Sequence, residues 1–278
     1  FTDWDENDNA TQNWLKGVAD KGTFICPEGL DTTTRDVSHI PENWIVPNYL
    51  NFKAVDGNVT LSMVSREHAP DVSYEYSQDK VNWNKFTPDV HQPPKVTISK
   101  DQKIYFRAVE DGQSFPGTKD GHLRFVMNDG GSGGKIEADG NIMSLVSKDC
   151  TQTKMESYGF YGLFEECKCL SKAPVLAAKT LAENCYATMF EGCSNLTKAP
   201  ELLAGKLTNG CYYEMFRNCS SLNSVSVGFT DWAEEMHATV NWLLGVSEEG
   251  TFCSPEELDK TQRDESHIPV KWSNGYDY

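Results

Sequence analysis

The first forty-four residues return near the other end of the chain. Phe1 to Trp44 aligns with Phe229 to Trp272 without a gap, at a constant offset of 228, and 27 of the 44 pairs are identical. FTDW opens both copies, and ATxNWLxGV, GTF and RDxSHIPxxW follow in the same order. A duplication of this length marks a chain made of tandem units. It predicts a sequence cut from an array, with Phe1 at the tail of one module and most of a further module after it. Arrays of this kind extend, display and bind, and are seldom single-chain enzymes.

A shorter period runs between the two copies. Phe164, Phe190 and Phe216 are spaced by 26 residues, as are Cys167, Cys193 and Cys219, and Leu170, Leu196 and Leu222. The unit reads CYxxMFxxCSxLxxAPxLxAxxLxxx, and 26 residues fall in the range of leucine-rich repeats. One unit is too small to bury its own apolar face, so neighbours must stack, like-placed residues forming interior columns and the end units needing caps. CYYEMF to CSSL predicts a short helix and a turn, and the LTKAP-like segment after it a short strand.

Residues 50–128 have a different rhythm. LNFKAV, NVTLSMV, VSYEYS, VNWNKF, KVTIS, KIYFRAV and HLRFVMN alternate apolar and polar residues with period two, separated by turn residues such as Asp56-Gly57 and Asp111-Gly112. Seven short strands in this space predict a small immunoglobulin-like β-sandwich, with Trp83 in its core and no disulfide, since the stretch holds no cysteine. IVPNYL at 45–50 reads as a linker and DGGSGG at 129–134 as a flexible joint. The fold class expected is therefore α+β and multi-domain. Residues 1–44 are a cap-like segment, 45–130 the sandwich, and 135–272 a leucine-rich-repeat solenoid with repeats at about 158–228 and a cap at 229–272. In both copies ATxNWLxGV predicts a short helix with its Trp, Leu and Val inward (Trp14, Leu15 and Val18 in the first).

The formal net charge is -16, and its distribution places the acidity in the two copies, while the repeats between them are balanced. A phosphate backbone needs basic neutralisation, so no nucleic-acid partner is expected. No run approaches the roughly 20 apolar residues of a membrane span, so no membrane insertion is expected. Nine cysteines leave at least one unpaired, and most sit in register with the repeat, which predicts buried free thiols used as small hydrophobes. Zinc is disfavoured because no CxxC occurs.

The chain lacks a Walker loop, GxGxxG and HExxH, so no catalytic residue, cofactor or metal site is expected. Asp3, Asp5, Asn7 and Asn9 have the spacing that opens a calcium loop, but the glycine at the sixth position and the glutamate at the twelfth are missing. Adjacent glutamates such as Glu165-Glu166 and Glu248-Glu249 lack the facing arrangement that glycoside hydrolysis requires. His39 and His267 match across the duplication and read as histidines held by local hydrogen bonds. The surface left for binding is a polar ladder at the strand positions of the repeats: Ser171 and Lys172, Thr197 and Lys198, Asn223 and Ser224.

CYxxMFxGCSxLTxAPxL repeats, preceded by GNIMSLV and closed by NWLxGVxxxGTFxxP…IPxxW, resemble the BspA-like leucine-rich-repeat surface proteins of gut Bacteroidetes and their phages. The resemblance covers nearly the whole chain, with one departure: the closing segment also stands at the start. It implies an exported, extracellular or cell-surface protein of adhesin type, meeting an unidentified protein or glycan of a host or bacterial surface. The alternative expectation is a structural module of a fibre or virion appendage with no ligand of its own. Residues 1–44, with no repeats ahead of them, are expected to dock on another surface, either that of a neighbouring molecule, giving self-association, or that of the adjacent β-domain.

Overall fold

The computed structural model describes residues 4, 11–26, 30–131 and 133–275. The alternating segments each hold a strand: β1 (Leu50–Ala54), β2 (Val59–Ser65), β3 (Tyr74–Ser77), β4 (Asn84–Phe86), β5 (Lys95–Ile98), β6 (Lys103–Ala108) and β7 (Leu123–Met127). Leu50, Phe52 and Ala54 in β1 and Leu123, Phe125 and Met127 in β7 are buried with the period of two that a pleated strand imposes. One sheet has the order β5-β2-β7. The other incorporates two strands from beyond the glycine-rich connector, β8 (Ile136–Asp139) and β9 (Leu170–Lys172), and has the order β4-β3-β6-β1-β8-β9. The sheets face each other through Phe52 and Phe125, with ring centroids 5.0 Å apart.

The expected self-contained immunoglobulin-like sandwich of residues 45–130 is thus not what forms. β8 lies antiparallel to β1, with Phe52 opposite Ala138, and β9 lies parallel to β8. The result is a mixed sheet that crosses the 129–134 connector. Trp83 is half-buried at the rim instead of central. Its ring lies under the Arg107 guanidinium at 3.8 Å, and its indole N–H donates to the Lys80 carbonyl at 3.0 Å. Tyr74, Phe86 and Phe106 fill the core in its place.

The expected α+β class and leucine-rich-repeat solenoid are also overturned. Among the described residues there is no α-helix, only three 3-10 turns of three or four residues, and the chain is almost entirely β and turn. The physical reason lies in the backbone. Tyr158, Gly162 and Glu166 have φ near +60°, as do Asn184 and Thr188, and Glu214 and Asn218. A left-handed residue at every fourth position is incompatible with a right-handed helix. It turns alternate N–H groups sideways. Phe160, Gly162, Phe164 and Glu166 donate to the carbonyls of Cys185, Ala187, Met189 and Glu191 in the next repeat, at 2.7–3.0 Å. Between them, Tyr161, Leu163 and Glu165 close local turns onto residues three back. The segments read as helices are therefore layers of turns bonded face to face.

These layers bring like-placed side chains together. Phe164, Phe190 and Phe216 stack nearly parallel, with centroids 5.5 and 5.6 Å apart, and Phe125 of β7 extends the column at 5.4 Å. A second column runs through Phe160, Tyr186 and Tyr212. The thiols of Cys167, Cys193 and Cys219 donate to the carbonyls of Phe125, Phe164 and Phe190 at 3.2, 3.1 and 3.0 Å. β7 thus serves as the first layer, and one apolar core runs through the sheets and the repeats. At the far end Trp242 is fully buried over Tyr212 and Phe216. There β10 (Ser224–Ser226), β11 (Thr251–Cys253) and β12 (Ser273–Asn274) form a parallel sheet.

One charge cluster fastens the sheets to the repeats. Glu165 lies 2.8 Å from Arg66, 3.8 Å from the His122 ring and 4.0 Å from Arg124. His122, Arg66 and Arg124 together outweigh partial burial and hold its carboxyl below its ordinary value of 4.5. A carboxylate with a depressed folded pKa stabilises the fold above that ordinary value, and the contribution is lost as pH falls through the folded one. Glu165→Gln is therefore expected to lower the urea midpoint at pH 7, with the gap from the native chain closing between pH 4.5 and pH 2. A gap that does not change with pH would refute the pairing. In the second column, the Tyr186 hydroxyl is buried with no hydrogen-bond partner among the described residues. Tyr186→Phe removes that hydroxyl, as Phe160 does one layer earlier, and is expected to leave stability unchanged or raise it by about 1 kcal/mol. Chemical denaturation reads the difference.

Candidate functional site

The ladder residues do not form one continuous strip. Segment 170–176 is bonded to residues 136–142: Val175 donates to the Gly140 carbonyl at 2.8 Å, and Ile142 donates to Val175 at 3.2 Å. Segment 197–203 is bonded in the other direction. Asn223 donates to Thr197 and Ala199 to Ser224, both at 2.9 Å. Among the described residues no backbone hydrogen bond joins 170–176 to 197–203. The break falls where the repeat places Pro174 and Pro200, which have no N–H to give to a ladder. In the third unit Ser226 stands at that position, and there β10 pairs with β11.

The break opens a groove of about 420 Å³, lined by residues 171–176 on one side and 197–203 on the other. Ser171, Lys172, Thr197 and Lys198 all border it. Asn223 and Ser224 lie one strand farther away, engaged with Thr197, Lys198 and Thr251. Ser171 donates its hydroxyl to the Ile136 carbonyl at 3.1 Å, and Lys172 reaches Asp139 at 3.0 Å. Lys172 and Lys198 are exposed at the same position of successive units, and the carboxylates of Asp139 and Glu201 line the groove with them. Its floor and walls are more apolar than the sequence reading allowed. Val175 and Leu203 are 43% and 45% exposed here, beside Ala173, Ala199 and the two prolines. The signal is present in KAPVL and KAPEL at a spacing of 26, where each lysine stands beside apolar residues that share its repeat.

The other candidates are drawn apart or lie elsewhere. Asp3, Asp5, Asn7 and Asn9 lie outside the described residues, and among those described no group of three or more His, Cys, Asp or Glu is arranged to hold a metal. Glu165 turns to Arg66 while Glu166 turns to Lys168 at 3.2 Å, so the two carboxylates do not share a site. His39 and His267 each sit 2.8 Å from an aspartate three residues earlier, Asp36 and Asp264, and edge-on to Trp4 and Trp232. No helix among the described residues is long and apolar enough to cross a membrane.

Six cysteines are buried thiols. Burial pushes Cys185 up to about 12 and Cys169 and Cys211 up to about 11, and it raises Cys167, Cys193 and Cys219 further. A thiol is nucleophilic only as thiolate. Brief iodoacetamide treatment at pH 8 is therefore expected to leave Cys167, Cys193 and Cys219 unmodified in the folded chain and to label them fully in denaturant, as read by mass spectrometry. Labelling in the folded chain would show that the column is open.

Compared with protein-family models, with curated proteins and with solved structures, the chain matches none of them.

Proposed function

We propose that this chain is a non-enzymatic, exported surface protein that holds an extended segment of a partner protein in the groove between residues 171–176 and 197–203. The observation that carries this reading is the groove's repetition. Two successive units present Lys172 and Lys198, Ala173 and Ala199, and Pro174 and Pro200 at like positions along one open channel. An extended chain has its own repeat, and pockets for alternate side chains are what confer specificity on strand-like recognition. Lys198 favours an acidic group on the partner, Lys172 being paired with Asp139, and Val175 and Leu203 favour apolar side chains. The absence of a Walker loop, GxGxxG and HExxH from the sequence and the separation of Glu165 from Glu166 support a binding role. The 26-residue motif with its closing segment supports kinship with BspA-like surface proteins, and hence an adhesin at a host or bacterial surface.

An array of extended acidic-apolar peptides, with a glycan array beside it, tests the proposal. The intact chain is expected to bind members of the peptide array. Lys198→Glu combined with Leu203→Ser is expected to weaken that binding at least about tenfold, which is about 1.4 kcal/mol, at unchanged thermal stability. Binding to glycans alone, or peptide binding indifferent to the double variant, would refute the groove as the site.

A second reading, a structural unit joined in series with others, is favoured by one specific observation. The first copy of the duplicated segment exposes Trp14, the counterpart of fully buried Trp242. Electron microscopy showing ordered filaments would favour this reading over a dispersed display protein.

A further inference from the structure

The two copies fold alike. In the first, the Trp14 indole N–H donates to the His39 carbonyl at 3.4 Å, Trp44 to Ala19 at 2.9 Å, and Arg35 to Trp44 at 3.0 Å. In the second, Trp242 donates to His267 at 3.0 Å, Trp272 to Ser247 at 2.8 Å, and Arg263 to Trp272 at 2.8 Å. Ring geometry repeats as closely: Trp4 and Trp14 are 6.2 Å apart, as are Trp232 and Trp242. Asn13 and Gly17 have positive φ, as do Asn241 and Gly245. The segment therefore holds its shape without repeats of its own, around a small core of Trp4, Leu30 and Ile40.

The copies differ on one face. Away from the repeats, burial is the same: Trp4 and Trp232, Leu30 and Leu258, and Ile40 and Ile268 are all buried. On the face that meets the repeats in the second copy, Trp14 is 42% exposed against 0% for Trp242. Val18 is exposed where Val246 is half-buried, and Leu15 and Phe24 are half-buried where Leu243 and Phe252 are buried. The expectation that Trp14 and Val18 point inward is therefore corrected: both are exposed, although the Trp14 ring still packs edge-on to Trp4 and Phe24. The backbone tells the same story. In the second copy the carbonyls of Val240 and Leu244 accept from Glu214 at 2.9 Å and Asn218 at 2.7 Å, and β11 pairs with β10. At the matching positions, Gln12 and Lys16 are exposed, and among the described residues no backbone N–H reaches their carbonyls.

We propose that this face is a docking surface for the end layer of a second 45–228 unit. The layer would seat its counterparts of Tyr212 and Phe216 on Trp14 and add its counterpart of β10 alongside Thr23–Ile25. The occupant is specified by the internal duplicate, which shows in the same structure what this surface covers when it is filled. Most of the polar contacts in that template are backbone bonds, so they do not depend on the side chains that differ between the copies. Gln12 and Lys16 replace Val240 and Leu244 at positions only half-buried there, and a lysine stem can lie along an apolar edge with its ammonium in water. Thr23 already pairs with Ile45 on one side, as Thr251 pairs with Ser273, so the added strand takes the opposite edge.

The test repeats residues 45–228 ahead of Phe1 in the full chain, which recreates the Gly228–Phe229 junction as Gly228–Phe1. Backbone hydrogen exchange at residues 12–18 is expected to slow at least about tenfold relative to the 278-residue chain, approaching the rate at 240–246. The added unit is expected to resist protease as its original does. Val18→Asp, at an exposed position in the unextended chain, is expected to abolish both effects while leaving the original unit folded. Unchanged exchange at 12–18, protection that survives Val18→Asp, or digestion of the added unit while the remainder survives would each overturn the proposal.

Discussion

At Tyr158, Gly162 and Glu166, and at the like positions of each later unit, the backbone turns left-handed, and this beat of four decides where the intervening N–H groups point. Half of them close local turns and half reach across to the next layer. The core columns, the thiol bonds and the seating of Trp242 all follow from that division. A helix would satisfy its own backbone and need only side chains to hold its neighbours. Here the neighbour supplies the hydrogen bonds, so no layer is complete alone, and an unmade bond in the interior would cost on the order of 1–3 kcal/mol. Left-handed conformations are costly for most residues. Gly162, Gly192 and Gly210 relieve part of that cost, but Thr188 and Glu214 do not, and they persist because both flanking layers hold them in place.

The cysteine column shows the same logic in side chains. Each of the three thiols lies against the carbonyl of a phenylalanine one layer back, and each phenylalanine stacks on its counterpart. A serine there would bring a stronger dipole into an apolar column, and a valine would remove the thiol bond, leaving the Phe164 and Phe190 carbonyls with the backbone N–H groups of Cys167 and Cys193 alone. A thiol fills a small apolar space and still offers a weak hydrogen bond. That is reason enough for the cysteines to keep the repeat's register without any disulfide role.

Some of this was legible in the sequence. Phe164, Phe190 and Phe216 had to meet, because a 26-residue period places them at one position of each unit. Period-two alternation located β1 to β7. What misled was the interior of the unit. A turn of four residues is close to a helical turn of 3.6, so Tyr212, Met215, Phe216 and Cys219 mimic an amphipathic helix, and nothing in the sequence marks Thr188 or Glu214 as left-handed. Trp83 was read as core because tryptophan usually is, yet its ring pairs with Arg107 at the rim. Trp14 was read as inward because its local pattern is that of Trp242, but burial depends on what lies across from it, which local pattern does not encode. The groove was half seen. Its lysines are legible as a polar ladder, but the effect of Pro174 and Pro200 on that ladder depends on which neighbour each segment bonds.

Face-to-face bonding has a consequence for how such a chain can change in length. Each layer presents to the next the same row of donors and acceptors that it meets behind it. Insertion or loss of one whole 26-residue unit would therefore leave every donor opposite an acceptor and present the closing segment with an unaltered surface. Insertion or loss within a layer would shift its left-handed positions against those on both sides. Variation in this region is thus confined to whole steps, and over generations the stack can be lengthened or shortened without redesign of either end.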